Sequence, residues 1–196
     1  VITAGDKLYR FPRSGEVWEK GLVEREILEK LSAHPELSVP HLISVNENPA
    51  YAILTSIPGK NLSPEAIRSL STDHQQYIGE QIGTFAYHFH KLFHTDDIKP
   101  LLPKDDPQIL YANYLQQILK DRSEKTAVWV REAWPKHNHP GDTVIHDDLH
   151  THNMLFDDNS NLTGVIDFGD VSLGSPEQEL RYTYWISDIV LDNAIA

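Results

Sequence analysis

Val144-Ile-His-Asp-Asp-Leu-His-Thr-His-Asn-Met-Leu-Phe156 and, shortly after it, Gly164-Val-Ile-Asp-Phe-Gly-Asp170 are the stretches from which the rest of this chain is read. Thr143-Val144-Ile145 and Met154-Leu155-Phe156 are apolar runs of strand length, and Leu162 to Phe168 is a third. Asp157-Asp158-Asn159-Ser160-Asn161 between the last two has turn chemistry, because Asx and Ser side chains bond their own backbone. The turn predicts a hairpin that brings Asp167 beside Asn153. The loop from His146 to Asn153 is rich in oxygen and nitrogen donors. Such residues are common in turns for local reasons, so one loop alone leaves function and scaffold about equal.

Toward the N-terminus, Val1 to Ala4 and Lys7 to Phe11 flank Gly5-Asp6 and read as a β-hairpin, with Pro12 ending the second strand. Glu16 to Leu31 reads as a helix, since Leu22, Val23, Ile27, Leu28 and Leu31 recur at helical spacing. Pro35 and Pro40 mark a loop, and Ala50 to Ile57 a strand closed by Pro58-Gly59. Ser63-Pro64 looks like a helix N-cap with proline in the first turn. Ile78, Ile82, Phe85, Phe89 and Leu92 predict a buried helical stripe. After a loop from Pro100 to Pro107, Leu110, Tyr114, Ile118 and Leu119 suggest a further helix, and His137 and His139 lie in a loop. Glu177 to Ile195 returns to helix, on which Tyr182, Tyr184 and Trp185 are expected to pack. The order is a sheet with one helix, a connector, then helices holding a small hairpin. That is an α+β, two-lobed architecture with a cleft between the lobes as the ligand site. The expected boundary falls at 57/58, between an N-lobe of residues 1–57 and a mainly helical C-lobe of residues 58–196.

The chain has 196 residues, 17 Lys and Arg against 29 Asp and Glu, and a net charge of −12. Such acidity repels nucleic acid and anionic membranes and suits a cationic substrate. With no cysteine, disulfides, thiolate metal sites and Cys nucleophiles are excluded. The absence of cysteine, of a signal peptide and of any apolar run long enough to span a bilayer suggests a cytoplasmic location.

His146, Asp148, Leu149 and Asn153 fit H-x-D-L-x-x-x-N, and Asp167, Phe168 and Gly169 supply D-F-G. Together they match the catalytic-loop and metal-loop pattern of protein kinases. Phosphoryl transfer needs a carboxylate near the attacking hydroxyl and hard oxygen ligands for Mg²⁺. More closely still, the segment resembles the aminoglycoside phosphotransferase family and its relatives that act on macrolides and other small molecules. That family's loop reads roughly H-G-D-L-H-x-x-N, with I-D-[FW]-x-D downstream. His150 and Asp170 match the additional positions, while Asp147 replaces the usual Gly and adds a like charge beside Asp148.

The resemblance implies a protein-kinase-like fold, Mg²⁺ as cofactor, and ATP or GTP as phosphate donor. The acceptor would be a hydroxylated, cationic small molecule, an aminoglycoside first. It assigns Asp148 as the catalytic carboxylate and Asn153 and Asp167 as metal ligands. Arg10, in Leu8-Tyr9-Arg10-Phe11-Pro12-Arg13, would grip phosphate where Lys is usual, and Glu24 would fix Arg10, with Glu26 competing. Leu54 to Gly59 resembles the hinge, where backbone groups of Ser56 and Ile57 would bond the purine. Phe93-His94 resembles a structural helix end, and His146 is expected to brace the loop. Asp170 could bind metal, orient substrate or cap a turn. The resemblance spans roughly Lys7 to Leu180. The family's phosphate-covering loop and C-terminal helices are not found, so a partial chain is expected.

Two other readings compete. His146, Asp148, His150 and His152 form H-x-D-x-H-x-H, which could ligate Zn²⁺ in a metal-dependent hydrolase, but that leaves Asp167-Phe-Gly and the Arg10 strand unexplained. A non-catalytic nucleotide-binding relative is the other; the presence of all the catalytic residue types argues against it.

Overall fold

The computed structural model describes residues 1–34, 37–100 and 141–196. The helix expected around Leu110 to Leu119, most of the loop from Pro100, and the His137 and His139 loop lie outside the described residues.

Strands β1 (Ile2–Ala4) and β2 (Lys7–Arg10) form the expected hairpin, and Gly5 at its turn has φ +64°. A helix, α1 (Gly15–Leu31), follows. Next come β3 (Leu42–Glu47) and β4 (Ala50–Thr55), completing an antiparallel sheet of order β1-β2-β4-β3. Sequence reading missed β3. It is an edge strand with Ile43 and Val45 exposed, so it lacks the apolar inward stripe that announces a strand. The strand predicted to reach Ile57 stops at Thr55.

Ile27, Leu28 and Leu31 of α1 are buried, together with Ala52 and Leu54 of β4. Arg10 pairs with Ala52 and Leu8 with Leu54 in the sheet register, so Arg10 stands on the same sheet face as these apolar residues.

Beyond β4 come α2 (Pro64–Arg68), α3 (Thr72–Leu92) and α4 (Thr95–Ile98). The side chain of Ser63 caps α2 by accepting from the Ala66 N–H, with Pro64 in the first turn as its sequence suggests. Ile78, Ile82, Phe85 and Phe89 of α3 are buried as the stripe predicts, and Leu92 is half-buried. Phe89 packs on Phe168 with ring centroids 5.7 Å apart, which ties the long helix to the D-F-G turn.

The C-terminal strands are β5 (Thr143–Ile145), β6 (Met154–Phe156), β7 (Leu162–Val165) and β8 (Ser172–Gly174). The hairpin β6-β7 forms through the predicted turn, in which Asp157 accepts from Asn159 and Asn161. The predicted third strand is shorter than expected, ending at Val165, because Asp167 turns left-handed and Phe168 to Asp170 form a single 3-10 turn. Strand β5 pairs with β8, which sequence reading did not register.

The final helix is also broken: α5 (Pro176–Glu179), a 3-10 turn at Leu180–Tyr182, α6 (Thr183–Ile186) and α7 (Asp188–Ala194). The break overturns the expected packing of Tyr184 and Trp185, while Tyr182 is half-buried against His150. Tyr184 is 64% and Trp185 66% exposed, since Thr183 and Ile186 are the residues that α6 buries. Helix α7 packs tightly on α3: a Cβ at Gly83 would lie 2.3 Å from the Ala194 carbonyl oxygen. No helix among the described residues is long and apolar enough to cross a membrane.

Candidate active site

The loop between β5 and β6 carries the predicted residues, and its shape is held from several directions. His146 is fully buried. Its ring Nε2 lies 3.1 Å from the Ile166 carbonyl oxygen, and its Nδ1 accepts from the Asp148 N–H at 3.3 Å. That pattern fits one neutral tautomer, with the proton on Nε2. Burial pushes the imidazole pKa down, outweighing the pull of Glu179, Asp148 and Asp167. The expected bracing role of His146 is therefore visible in its bonds.

Two braces were not foreseen. Asn61 donates to the carbonyls of His152 and Met154 at 2.8 Å each, and to Thr151 at 3.3 Å. Glu179, 1% exposed, accepts the His146 N–H at 2.6 Å, and its Oε2 also lies 3.3 Å from His90 Nε2. Neither lies in a motif. Asn61 follows Pro58-Gly59 and Glu179 sits far along the chain, so nothing in the spacing advertises them.

Within the loop, Asn153 Nδ2 donates to both the main-chain oxygen and Oδ2 of Asp148, each at 2.9 Å. With its amide hydrogens committed, Asn153 has Oδ1 left as its remaining donor atom toward a ligand. The hairpin brings the next group alongside: Ile166 N–H donates to the Asn153 carbonyl at 2.9 Å, so Asp167 follows at once. Asp167 has φ 65° and ψ 69°, and its side chain is half exposed. Asx residues tolerate this left-handed region better than most.

Asp167 Oδ1 accepts from Arg10 Nη2 at 3.1 Å, and Arg10 Nη1 pairs with Glu24 Oε1. Glu24 is buried and Glu26 exposed. Between the two candidate partners the fold therefore selects Glu24. Burial pushes the Glu24 carboxyl up, and Arg10 offsets this only in part. On Arg10, burial acts downward, but the Glu24 and Asp167 carboxylates outweigh it and hold the guanidinium above its ordinary value.

Asp147, at the position of the family's Gly, has φ 63°. Its carboxylate accepts from Ser172 Oγ at 2.8 Å, Gln178 Nε2 at 2.9 Å and Arg181 Nη1 at 2.5 Å. The extra negative charge expected beside Asp148 is thus matched by Arg181. Asp170 is exposed. Its carboxyl is pushed up first by partial desolvation and then by the charges of Asp148, Asp167 and Asp147.

At the hinge, the Ser56 N–H is already committed to the Asp6 carbonyl at 2.7 Å. Ser56 can therefore offer a purine only its carbonyl, whereas the main chain of Ile57 makes no hydrogen bond among the described residues.

The four-ligand zinc cluster does not form. Both ring nitrogens of His146 are engaged, one by the Ile166 carbonyl and one by the Asp148 N–H. Among the described residues no group of three or more His, Asp or Glu is arranged to hold a metal ion.

Comparison with known proteins follows the same lines. The phosphotransferase enzyme family model matches residues 1–195. The Bacillus subtilis (strain 168) protein YcbJ is 26% identical over 182 residues, covering 87% of this chain and 60% of that protein. The chain thus spans less than two thirds of that relative's length. The GDP complex of wild-type aminoglycoside 2'-phosphotransferase-IIIa superposes with a TM-score of 0.79 at 18% identity, over 99% of this chain and 71% of that one. Macrolide 2'-phosphotransferase MphH from Brachybacterium faecium does so with a TM-score of 0.69 at 19% identity, over 98% of this chain and 68% of that one. At such identities the likeness establishes the fold, the kinase-like two-lobed α+β architecture. With the family match running the length of the chain and the loop, hairpin and Arg10 strand in their expected order, this chain belongs to the phosphotransferase enzyme family.

Proposed function

We propose that this chain carries a Mg²⁺-dependent O-phosphotransferase that moves the γ-phosphate of ATP or GTP to a hydroxyl of a small molecule, with an aminoglycoside as the first candidate acceptor. The observation that carries this reading is the convergence of Asp148, Asn153, Asp167 and Arg10 through direct bonds and a shared hairpin. Solved relatives in complex with GDP and with ATP and streptomycin support the choice of donor and acceptor class. We assign residues 1–57 to the nucleotide-binding lobe and 58–196 to the helical lobe.

The donor set fits a hard cation: an amide oxygen from Asn153 and a half-exposed carboxylate from Asp167. Bound there, Mg²⁺ would supply charge neutralisation on the phosphates. Asp148 orients the acceptor hydroxyl and takes its proton as the oxygen–phosphorus bond forms and the bond to the nucleoside diphosphate breaks. Asn153 holds the Asp148 carboxylate in place, so its direction is set before the substrate arrives. Arg10 neutralises the donor's phosphates, and buried Glu24 fixes the guanidinium. The carbonyl of Ser56 and the main chain of Ile57 bond the purine.

The test is a coupled transfer assay on the full-length protein, with ATP or GTP and a panel of aminoglycosides, macrolides and simple amino alcohols. Asp148→Asn should lower kcat by about 10²–10⁴-fold with nucleotide affinity retained. Turnover unchanged in Asp148→Asn, or nucleotide bound with no acceptor phosphorylated, would overturn the reading.

A further inference from the structure

The chain from Ile57 to Asn61, directly after the hinge strand, lies as a strap along the β6-β7 hairpin and the catalytic loop. Ile57 packs over Gly164, where a Cβ would lie 2.8 Å from Ile57 Cδ1. The Pro58 carbonyl accepts from Thr163 Oγ1 at 2.6 Å. Gly59 has φ +135°, and a Cβ there would lie 2.5 Å from Thr163 Oγ1 and 2.9 Å from the Phe156 carbonyl oxygen. Only glycine allows so close an approach. Lys60 exchanges two main-chain hydrogen bonds with Phe156, each 2.9 Å long, and its Nζ lies 2.8 Å from Asp158 Oδ1. Asn61 ends the strap with its bonds to the carbonyls of Thr151, His152 and Met154.

These last bonds bracket Asn153. One amide holds the main chain just before and just after the residue that clamps Asp148. All three partners are carbonyl oxygens, which only accept, so the Asn61 amide must face them with its NH₂ group. An aspartate of the same shape has no such donor. Asn61 is exposed, so water competes for its bonds, and they open at lower cost than the contacts of buried Asn153. The strap therefore has a closed and an open state, with Ile57 at one end and the catalytic loop at the other. A base held by the main chain of Ile57 restricts the first end. The backbone pairing at Lys60 and the tight fit of Gly59 leave little slack, so the second end is restricted with it.

We propose that Asn61 is a positioning residue: through it, a purine bound at the hinge favours the closed strap and so orders the loop that presents Asn153 and Asp148. This rests on the phosphotransferase reading for the purine at Ile57.

The experiment follows amide hydrogen exchange by NMR in the full-length protein, with and without saturating adenosine or guanosine. Neither nucleoside carries a phosphate, so an effect on the loop cannot run through phosphate or its cation. The amides of Asn153 and Ile166, bonded to the His150 and Asn153 carbonyls, report on the loop. In the wild type the nucleoside should slow their exchange by about fivefold or more, the lower end of ordinary coupling between sites. In Asn61→Asp the same nucleoside should bind, yet exchange at these two amides should no longer respond. Transfer by this variant should show kcat lower by about tenfold or more, with a smaller change in KM for the nucleotide. A loss of stability alone lowers the melting temperature and leaves the response of the folded molecules intact. An equal response in Asn61→Asp, no response in the wild type, or no binding of either nucleoside overturns the inference. The two readings fail separately. Transfer that needs Asp148 and ignores Asn61→Asp sinks the strap alone. A nucleoside response that Asn61→Asp abolishes, with no phosphate transfer to any alcohol, sinks the phosphotransferase and leaves the strap.

Discussion

Asn153 clamps Asp148: one amide nitrogen reaches both the main-chain oxygen and the carboxylate of the same residue, at 2.9 Å each. Asn153 is 6% exposed, so these bonds form where water does not easily replace them. Asn153→Ala should destabilise the fold by about 1–3 kcal/mol, read by urea denaturation. The same change should lower phosphate transfer by far more than that stability loss explains, with the deficit only partly recovered at high Mg²⁺. Full recovery would mean that Asn153 serves the metal alone and does not position Asp148.

Arg10 and Glu24 should behave as a unit. Arg10→Ala leaves a buried carboxylate without its partner, while Arg10→Ala with Glu24→Ala removes both charges. Because Arg10 is 40% exposed, the single change is expected to cost only about 1–2 kcal/mol after solvent screening. The double variant should be no less stable than Arg10→Ala alone, as measured by a double-mutant cycle in urea. Additive losses would show that the pair is not coupled.

His146 sets an acid limit. Burial lowers its folded pKa below the unfolded value of about 6.5, so the unfolded chain binds the extra proton. The stability this group contributes is present above about pH 6.5 and is lost as pH falls below it. Glu24, raised by burial, acts with the opposite sign: its contribution is present below its unfolded pKa and is lost as pH rises through the folded one. The difference between wild type and His146→Asn isolates the histidine. The variant's Tm should fall less steeply than the wild type's between about pH 6.5 and 5. Parallel Tm profiles would contradict a buried neutral ring.

Asp147 stands at φ 63°, where Gly costs little and other residues about 1 kcal/mol or more. Its carboxylate also holds Ser172, Gln178 and Arg181. Asp147→Ala loses those contacts and keeps the strain, whereas Asp147→Gly loses the contacts and relieves it. Thermal denaturation should therefore rank the glycine variant above the alanine variant, by about 1 kcal/mol. The reverse order would mean that the backbone strain is not real.

The parts whose partners lie close along the chain are legible from the residues alone. Asp148 and Asn153 share one loop, and the Asp157 to Asn161 turn obliges Asp167 to return beside them. The α3 stripe was legible for the same reason, because helical spacing alone assigns a face. The choice between Glu24 and Glu26 belongs to the packing of the fold, since residues two apart on a helix face opposite sides and long-range contacts select which is buried. The tertiary structure likewise decided that Asp147 turns toward Arg181, that β5 pairs with β8, that Glu179 and Asn61 brace the loop, and that Trp185 stays exposed. Each of these rests on a contact between distant segments, and such a contact leaves no periodic trace in either segment, because it depends on how the whole chain fills space.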